Sequence, residues 1–361
     1  MNDNKNWPFP GKIAVVTSAA NTNEDDFYSA EHLIAKYGPE KIIHLTWISD
    51  FSETNKKEID GSVVLEDDKE IKTLILNQAM PGSGIIADIF RKNRDDAFVV
   101  YCANQESPSE ASEHANLILR PDDLGMGAEM VKQVKKQGAK VFVHYSFPRH
   151  MSLYLYRSRR DLIEQECIKE GIRFMDALTE DPIDKAGVDA ARQYILKDVP
   201  RLVSDYGEDT AFFCTNCHLQ APLIKAVVDC HAIYPQPCCP SPYHGFPQAL
   251  GIDSSEVYIN LGYLIGEISR IAAEKNMTDR LSTWPVSASM MFTSAGAEYA
   301  IRRIKGEAPG DDIDNDILMD CMSTYISEVV GEESNVFMRS YTENGITYRN
   351  LKLILMSYLD F

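Results

Sequence analysis

Within positions 214 to 244 the chain places Cys214, Cys217, His218, Cys230, His231, Cys238, Cys239 and His244, five of its eight cysteines among them. Thiolate and imidazole at such density are the ligands taken by zinc and by iron–sulfur clusters. The spacing matches no standard ligand set. Cys214, Cys217, His218, Cys238 and Cys239 therefore stand as metal candidates, and no metal or other cofactor is assigned. A disulfide between two of them is the alternative if the protein is exported. Cys214-Thr-Asn-Cys217-His218 also fits the C-x-x-C-H pattern of covalent haem attachment, but its first cysteine ends an apolar strand and no leader is visible, which argues against haem.

A second set of candidates comes from polar residues that follow short apolar runs. In open parallel sheets, ligands bind beyond the carboxyl ends of the strands. That rule selects Ser18, Asn21, Trp47, Asp50, Asn104 and Gln105 from the first part of the chain, and Tyr145, Arg149, Asp176, Thr215 and Asn216 from the second. Trp47 and Tyr145 offer faces on which a sugar or base can stack, and the Asn and Asp side chains offer partners for hydroxyl or amide groups. The competing reading of Asn and Ser at such places is that they make turns and cap helices. Hydrolase parts are missing: the sequence holds no G-x-S-x-G elbow, no P-loop and no H-E-x-x-H. Leu124-Gly-Met-Gly-Ala lacks the third glycine of a dinucleotide fingerprint and reads as a packed helix start.

The elements that must hold these residues alternate. Lys12 to Ser18 reads as a strand, Glu24 to Tyr37 as a helix stopped by Gly38-Pro39, and Lys41 to Trp47 as a strand. Lys69 to Ala79 reads as a helix, and Ala97 to Cys102 and Ala115 to Leu119 as strands. After Arg120-Pro121 the pattern restarts: helix 122–137, strand 140–145, helix 152–170, strand 172–175, helix 184–205 and strand 210–214. Five prolines between Tyr234 and Pro247 forbid a helix or central strand and mark a structured loop. Helix 254–275, an extended segment from Trp284 to Phe292, and helices 294–305 and 314–329 follow. Short unbroken apolar strands between amphipathic helices imply parallel sheets covered on both faces.

At 361 residues and 44% hydrophobic, the chain exceeds what one core usually supports, so two lobes are expected. A formal charge of −18 repels phosphate backbones and anionic bilayers, which disfavours nucleic acid as a partner. No window approaches the apolar run needed to span a membrane. The first ten residues show no apolar leader, so a cytoplasmic location is expected for the chain as given, or an extracellular lipoprotein if a leader has been removed. Cys102, Cys167 and Cys321 sit in apolar or helical contexts that suit reduced core thiols.

Four stretches carry a family resemblance: KIAVVTSAANTNEDDFYSA from Lys12, RPDDLGMGAEMVKQVKKQGAKVFVHY from Arg120, RSRRDLIEQECIKEGIRFMD from Arg157 and TAFFCTNCHLQAPLIKAV from Thr210. Together they resemble the type I periplasmic-binding-protein fold, shared by sugar-binding proteins, basic-membrane-protein-type lipoproteins and LacI-type effector domains, and most nearly an uncharacterised bacterial subfamily. The resemblance implies an α/β protein of two Rossmann-like lobes joined by a hinge, with a sugar or nucleoside-like ligand in the cleft. It implies lobes at 12–119 with 283–361, and at 120–282, after an extension at 1–11. It also implies that Asn216 bonds the ligand and that an arginine early in the helix ending at Gly171 reaches it, Arg159 fitting the register better than Arg157 or Arg160. A LacI-type repressor carries its DNA-reading helices before the first strand, and about eleven residues do not hold them. The expected function is small-ligand binding, as a solute receptor with a transporter partner or as a sensory domain. The rivals are a metal- or thiol-dependent enzyme built on the 214–244 cluster and a regulator acting through a protein partner.

Overall fold

The computed structural model describes residues 9–47, 63–79, 82–92, 94–253, 260–310, 312–331 and 334–361. The chain begins with β1 (Lys12–Thr17), α1 (Glu24–Tyr37), β2 (Ile42–Thr46), α2 (Val63–Asp67), β3 (Ile71–Asn77), α3 (Gly84–Arg91), β4 (Phe98–Cys102), α4 (Pro108–His114) and β5 (Leu117–Pro121). It continues through α5 (Gly125–Lys136), β6 (Val141–Ser146), α6 (Pro148–Ser152), α7 (Tyr154–Glu170), β7 (Arg173–Leu178), α8 (Lys185–Tyr206) and β8 (Thr210–Cys214). A short 3-10 turn (Cys217–Leu219) leads to α9 (Gln220–Asp229), α10 (Phe246–Leu250), α11 (Leu261–Glu274) and β9 (Ser282–Thr283). The last elements are α12 (Ala288–Ile304), α13 (Asn315–Val330), β10 (Val336–Glu343), β11 (Ile346–Met356) and β12 (Leu359–Asp360).

The chain forms two compact units. One comprises residues 1–121, 288–328 and 332–354; the other comprises 122–287, 329–331 and 355–361. The first is built on a seven-stranded sheet of order β10-β11-β5-β4-β3-β1-β2. β1 pairs in parallel with β2 and β3, β3 with β4, β4 with β5, and β5 with β11. Consecutive Leu74, Ile75 and Leu76 of β3, and Val99, Val100 and Tyr101 of β4, are fully buried, because helices cover both faces of a parallel sheet. α1 starts where the Asn23 side chain accepts a bond from the Asp26 amide, and it ends at Gly38, whose φ of 94° is open to glycine. α12 lies on β4, and Gly296 leaves room there: a Cβ would stand 3.0 Å from Val100 Cγ1.

The second unit centres on three parallel strands of order β7-β6-β8. Single parallel bridges from Ala211 to Ile233 and from Tyr234 to Leu281 widen it, and β9 pairs antiparallel with β12. Its core joins Met130, Val131 and Val134 of α5, Ile163 and Cys167 of α7, and Phe142, Ala211 and Phe213 of the sheet. Cys102, Cys167 and Cys321 are buried free thiols.

Two segments differ from expectation. The helix expected over 69–79 is strand β3: past Lys72 its residues Thr73 to Asn77 are buried one after another, on both faces of the sheet, with no helical polar stripe. The extended segment expected from Trp284 to Phe292 gives way to α12 at Ala288. Residues 289 to 297 are all buried, so its sequence is apolar or small all round and lacks the amphipathic period that marks a surface helix.

Candidate functional site

In the first unit the chain leaves β1 for β2 on one side and returns to β3 on the other. Such a reversal opens a crevice at the carboxyl ends of the two strands. Ser18, just past β1, donates from its hydroxyl to Asp26 Oδ2 at 3.3 Å. Asp26 is fully buried on α1, and burial raises its carboxyl to about 7, against the opposing pull of contacts with Ser289, Gln78 and Ser18. From β3, Asn77 donates to Thr293 Oγ1 at 3.0 Å and Gln78 follows in the left-handed region at φ 54°.

The next turn repeats that strain. Ala103, just past β4, has φ 48°, and its amide is tied to Leu119 O. Left-handed backbone at a non-glycine residue costs about 1–3 kcal/mol and concentrates at functional sites. It delivers Asn104 into a buried position where the amide nitrogen makes one long bond, 3.4 Å to Glu106 O, while Oδ1 has no partner among the described residues. Glu106 is buried beside it; Oε1 accepts from the Ser83 amide at 2.7 Å and Oε2 has no partner among the described residues.

In the second unit the order reverses between β6 and β8. Their ends are joined there by side chains: the Ser146 and Thr215 hydroxyls lie 2.9 Å apart, and His150 Nδ1 is 3.0 Å from Thr215 Oγ1. Burial first, and then the Arg149 charge, push His150 down to about 4, so the imidazole is neutral at pH 7. Its ring lies 4.1 Å from that of Phe147 and is stacked at 4.3 Å on Tyr156. Arg159 is buried beside this group, its guanidinium 5.3 Å from the Tyr156 ring and 5.6 Å from that of Phe213. Nη1 is 3.6 Å from Asp123, and Nε lacks a hydrogen-bond partner among the described residues. The Gly-Met-Gly start of α5 serves this packing: a Cβ on Gly127 would stand 3.1 Å from Arg159 Cγ.

The other candidates are placed as follows. Asn21 is exposed, and Gln105 is exposed with a 3.3 Å bond to Gln78. Trp47 is buried with Nε1 donating to Asn77 O at 2.9 Å. Arg149 forms two bonds to Asp181. Against the burial that raises it, the close His144 ring and hydrogen bonds from Arg160 hold the Asp176 carboxyl at about 2. Asn216 caps the 3-10 turn through His218 N at 2.9 Å. Asp50 lies outside the described residues. Tyr145 is fully buried, and its hydroxyl donates to Asp198 at 2.9 Å in the core. Tyr145→Phe should therefore cost about 1–3 kcal/mol in a urea melt, the penalty for stranding a buried acceptor. A loss below about 0.3 kcal/mol in that melt would show that the bond is not held.

Among the metal candidates, Cys214 is buried in β8, whereas Cys217 is exposed, so the two cysteines of the haem-like motif sit in unlike settings. Instead, Cys217, Cys238, Cys239 and His244 converge, their ligand atoms all within 4.8 Å of one another. Hydrogen bonds from Cys217, Cys238 and then His244 hold the Cys239 thiol well below its ordinary range. A depression of about 570 Å³ in the first unit, lined by Lys72, Asp96, Phe98, Asn116 and Arg303, opens at the amino ends of β3, β4 and β5, away from the strand ends where such sheets bind ligands.

The family described as "Protein of unknown function (DUF3798)" matches residues 11–282, three quarters of the chain. The chain belongs to the DUF3798 family. An uncharacterized protein of Treponema pallidum is 30% identical over 166 residues, covering 46% of this chain and 77% of its own length. A second from the same organism is 27% identical over 182 residues, covering 49% and 81%. The DUF3798 match takes in both strand reversals and all four converging Cys and His residues, and ends before α12.

Solved structures place this DUF3798 chain in the type I periplasmic-binding-protein-like fold. A putative transcriptional regulator from Clostridium difficile 630 superposes with a TM-score of 0.86 at 20% identity, covering 98% of this chain and 99% of that one. A periplasmic ribose ABC transporter from Conexibacter woesei superposes at 0.51 with 10% identity, covering 85% and 91%. At these identities the likeness shows the fold. Among the described residues, no helix is long and apolar enough to cross a membrane.

Proposed function

We propose that this chain binds a small, hydroxyl-rich, neutral ligand of the sugar or nucleoside class at the carboxyl ends of its strands, as a solute receptor or sensory domain. The observation that carries this reading is Asn104, a buried amide whose oxygen lacks a partner among the described residues, at a strained turn beside the buried Glu106. Buried polar atoms are rarely left unpaired, and at a strand end the missing partner is a ligand group. With its carboxyl raised to about 7, Asp26 is available both to donate and to accept, which suits hydroxyls. In the second unit, Tyr156, partly exposed and stacked on His150, supplies an aromatic surface near the Ser146 and Thr215 hydroxyls. A neighbour of the same fold that carries ribose in its description supports the ligand class.

Native mass spectrometry of the purified protein tests this for a carried-over molecule, and thermal shift with pentoses, hexoses and nucleosides tests it directly. A ligand found this way should bind Asn104→Ala about ten-fold to a few hundred-fold more weakly, with the unliganded melting temperature little changed. Full affinity in Asn104→Ala, or no response to any of these compounds and no carried-over molecule, overturns the reading.

A further inference from the structure

We infer that Cys217, Cys238, Cys239 and His244 form a binding site for one divalent late first-row cation, zinc foremost. All four belong to the second unit. Cys217 stands just past β8, and the other three are carried by the proline-rich loop that follows α9. Cys217 Sγ lies 3.5 Å from Cys238 Sγ, which lies 4.0 Å from Cys239 Sγ. Thiolates about 2.3 Å from one tetrahedral zinc stand about 3.8 Å apart, so the sulfurs already have the spacing of a single-ion site. Ligands of a four-iron cluster bind separate irons and must stand farther apart than these do.

The histidine is set in the right tautomer. His244 Nδ1 is 3.0 Å from the Cys239 carbonyl oxygen. A carbonyl only accepts, so Nδ1 carries a hydrogen and Nε2 is the nitrogen left to bind a metal, the arrangement in which a backbone oxygen orients a metal-binding imidazole.

The scaffold is rigid before any metal arrives. Pro237 and Pro240 flank the cysteine pair, and the loop's other side chains are largely buried, which leaves the ligand residues as its partly or fully exposed members. Gln220 fastens the two ligand-bearing segments together. Its amide nitrogen donates to Cys214 O at 3.0 Å and Asn216 O at 2.6 Å, while its oxygen accepts from the buried Tyr234 hydroxyl at 2.6 Å. Ser282 Oγ donates to Pro235 O at 2.7 Å, and Gln236 accepts from Tyr358. Three thiols and an imidazole brought this close by an immobilised loop make a preorganised soft-ligand cage. Four protein ligands close the coordination sphere, so the ion acts as a clamp. It pins the turn holding Thr215 and Asn216 to the loop.

Full-length protein, purified under reducing conditions without chelator, should carry about one zinc per chain by elemental analysis. Cobalt(II) added to the demetallated protein should give tetrahedral d–d bands and thiolate charge-transfer absorption that saturate at about one equivalent. Loss of a group that only supports a ligand costs about 10- to 100-fold in affinity, so Cys217→Ser, Cys238→Ser, Cys239→Ser and His244→Ala should each lose at least about 100-fold. Cys230→Ser, a thiol outside the group, should leave affinity and stoichiometry unchanged. Because the cobalt spectrum is read on the wild type, the test stands even if a variant fails to fold. The site is overturned if reduced wild type takes up neither zinc nor cobalt at micromolar concentration, as it would be if these cysteines serve only to form a disulfide. Iron at several atoms per chain, or uptake that depends on Cys230 and not on Cys238, equally overturns it.

Discussion

Replacing Asp26 by asparagine should stabilise the protein at pH 8 and leave it unchanged below about pH 4. Asp26 is fully buried, and its carboxyl is raised by burial to about 7 from an ordinary 3.8. Below the unfolded value both states hold the proton, and the group contributes nothing to pH dependence. As pH rises from about 4 to about 7 the unfolded chain gives up that proton while the folded chain keeps it, so stability falls with pH. The slope is about 1.4 kcal/mol per pH unit, and the loss levels off near about 4 kcal/mol once pH passes the folded value. Asparagine has the same shape without the charge, so the loss disappears. Urea melts of wild type and Asp26→Asn at pH 4, 6 and 8 should coincide at the first and diverge in favour of the variant by the last. Parallel curves at all three pH values would show that the carboxyl titrates normally and that its burial is not felt.

The fold was legible where one signal acted alone. β1, α1 and β2, and later β6, α8 and β8, each join a short apolar run or a helical period to a clear stop such as Gly38, and each lies close to where the sequence places it. Legibility failed where two signals agreed on the wrong answer or where none was present. Ile71 to Leu76 mixes Lys72 and Thr73 with apolar residues after a charged stretch, which fits an amphipathic helix as well as a doubly covered strand. α12 is buried all round, so it has no polar face to set a period. The hairpin β10–β11 went unread, although Asn344-Gly345 marks it: both residues have positive φ, as a two-residue hairpin turn requires.

Site residues were selected by position after a strand, and that rule finds the end of a strand without saying which way a side chain points. It selected Ser18, Asn104 and Thr215, which lie among the hydrogen-bonded groups at strand ends, and also Tyr145, whose hydroxyl is bonded into the core. Asp26 was missed because Glu24-Asp25-Asp26 at a helix start reads as acids complementing the helix dipole, and only burial separates the third from the first two. Tyr156 was missed because it lies on α7, well beyond the strand, and His150 because position alone gave no reason to choose it over Arg149 on the same helix. His244 stood in the cysteine-rich segment from the outset. Its partners Cys217, Cys238 and Cys239 could not be grouped from spacing, since the loop between them folds back through the bonds of Gln220.

The same loop makes Gly245→Ala the second large expected effect. Gly245 has φ 84°, a region that costs a side-chain-bearing residue about 1–3 kcal/mol. A Cβ there would also stand 2.9 Å from Gln220 Cβ, 3.1 Å from the Ala221 backbone nitrogen and 3.1 Å from Ile224 Cδ1. Two of those atoms belong to the backbone or to the fixed stem of α9's first residue, so relief must come from the loop, at an overpacking cost of about 1–3 kcal/mol. The sum, about 2–6 kcal/mol, is a large share of what holds a folded domain together. Gly251→Ala provides the comparison, because Gly251 also has positive φ, at 69°, but nothing lies within 4 Å of its Cβ position. That variant should lose only the backbone part, and the difference between the two in urea melts isolates the contact with α9. Because the movement is forced on the residue next to His244, Gly245→Ala should also displace the imidazole from the three sulfurs, whereas Gly251→Ala should not. Equal losses in the two variants would mean that the loop yields freely at Gly245, and that its apposition to α9 does not fix the position of His244.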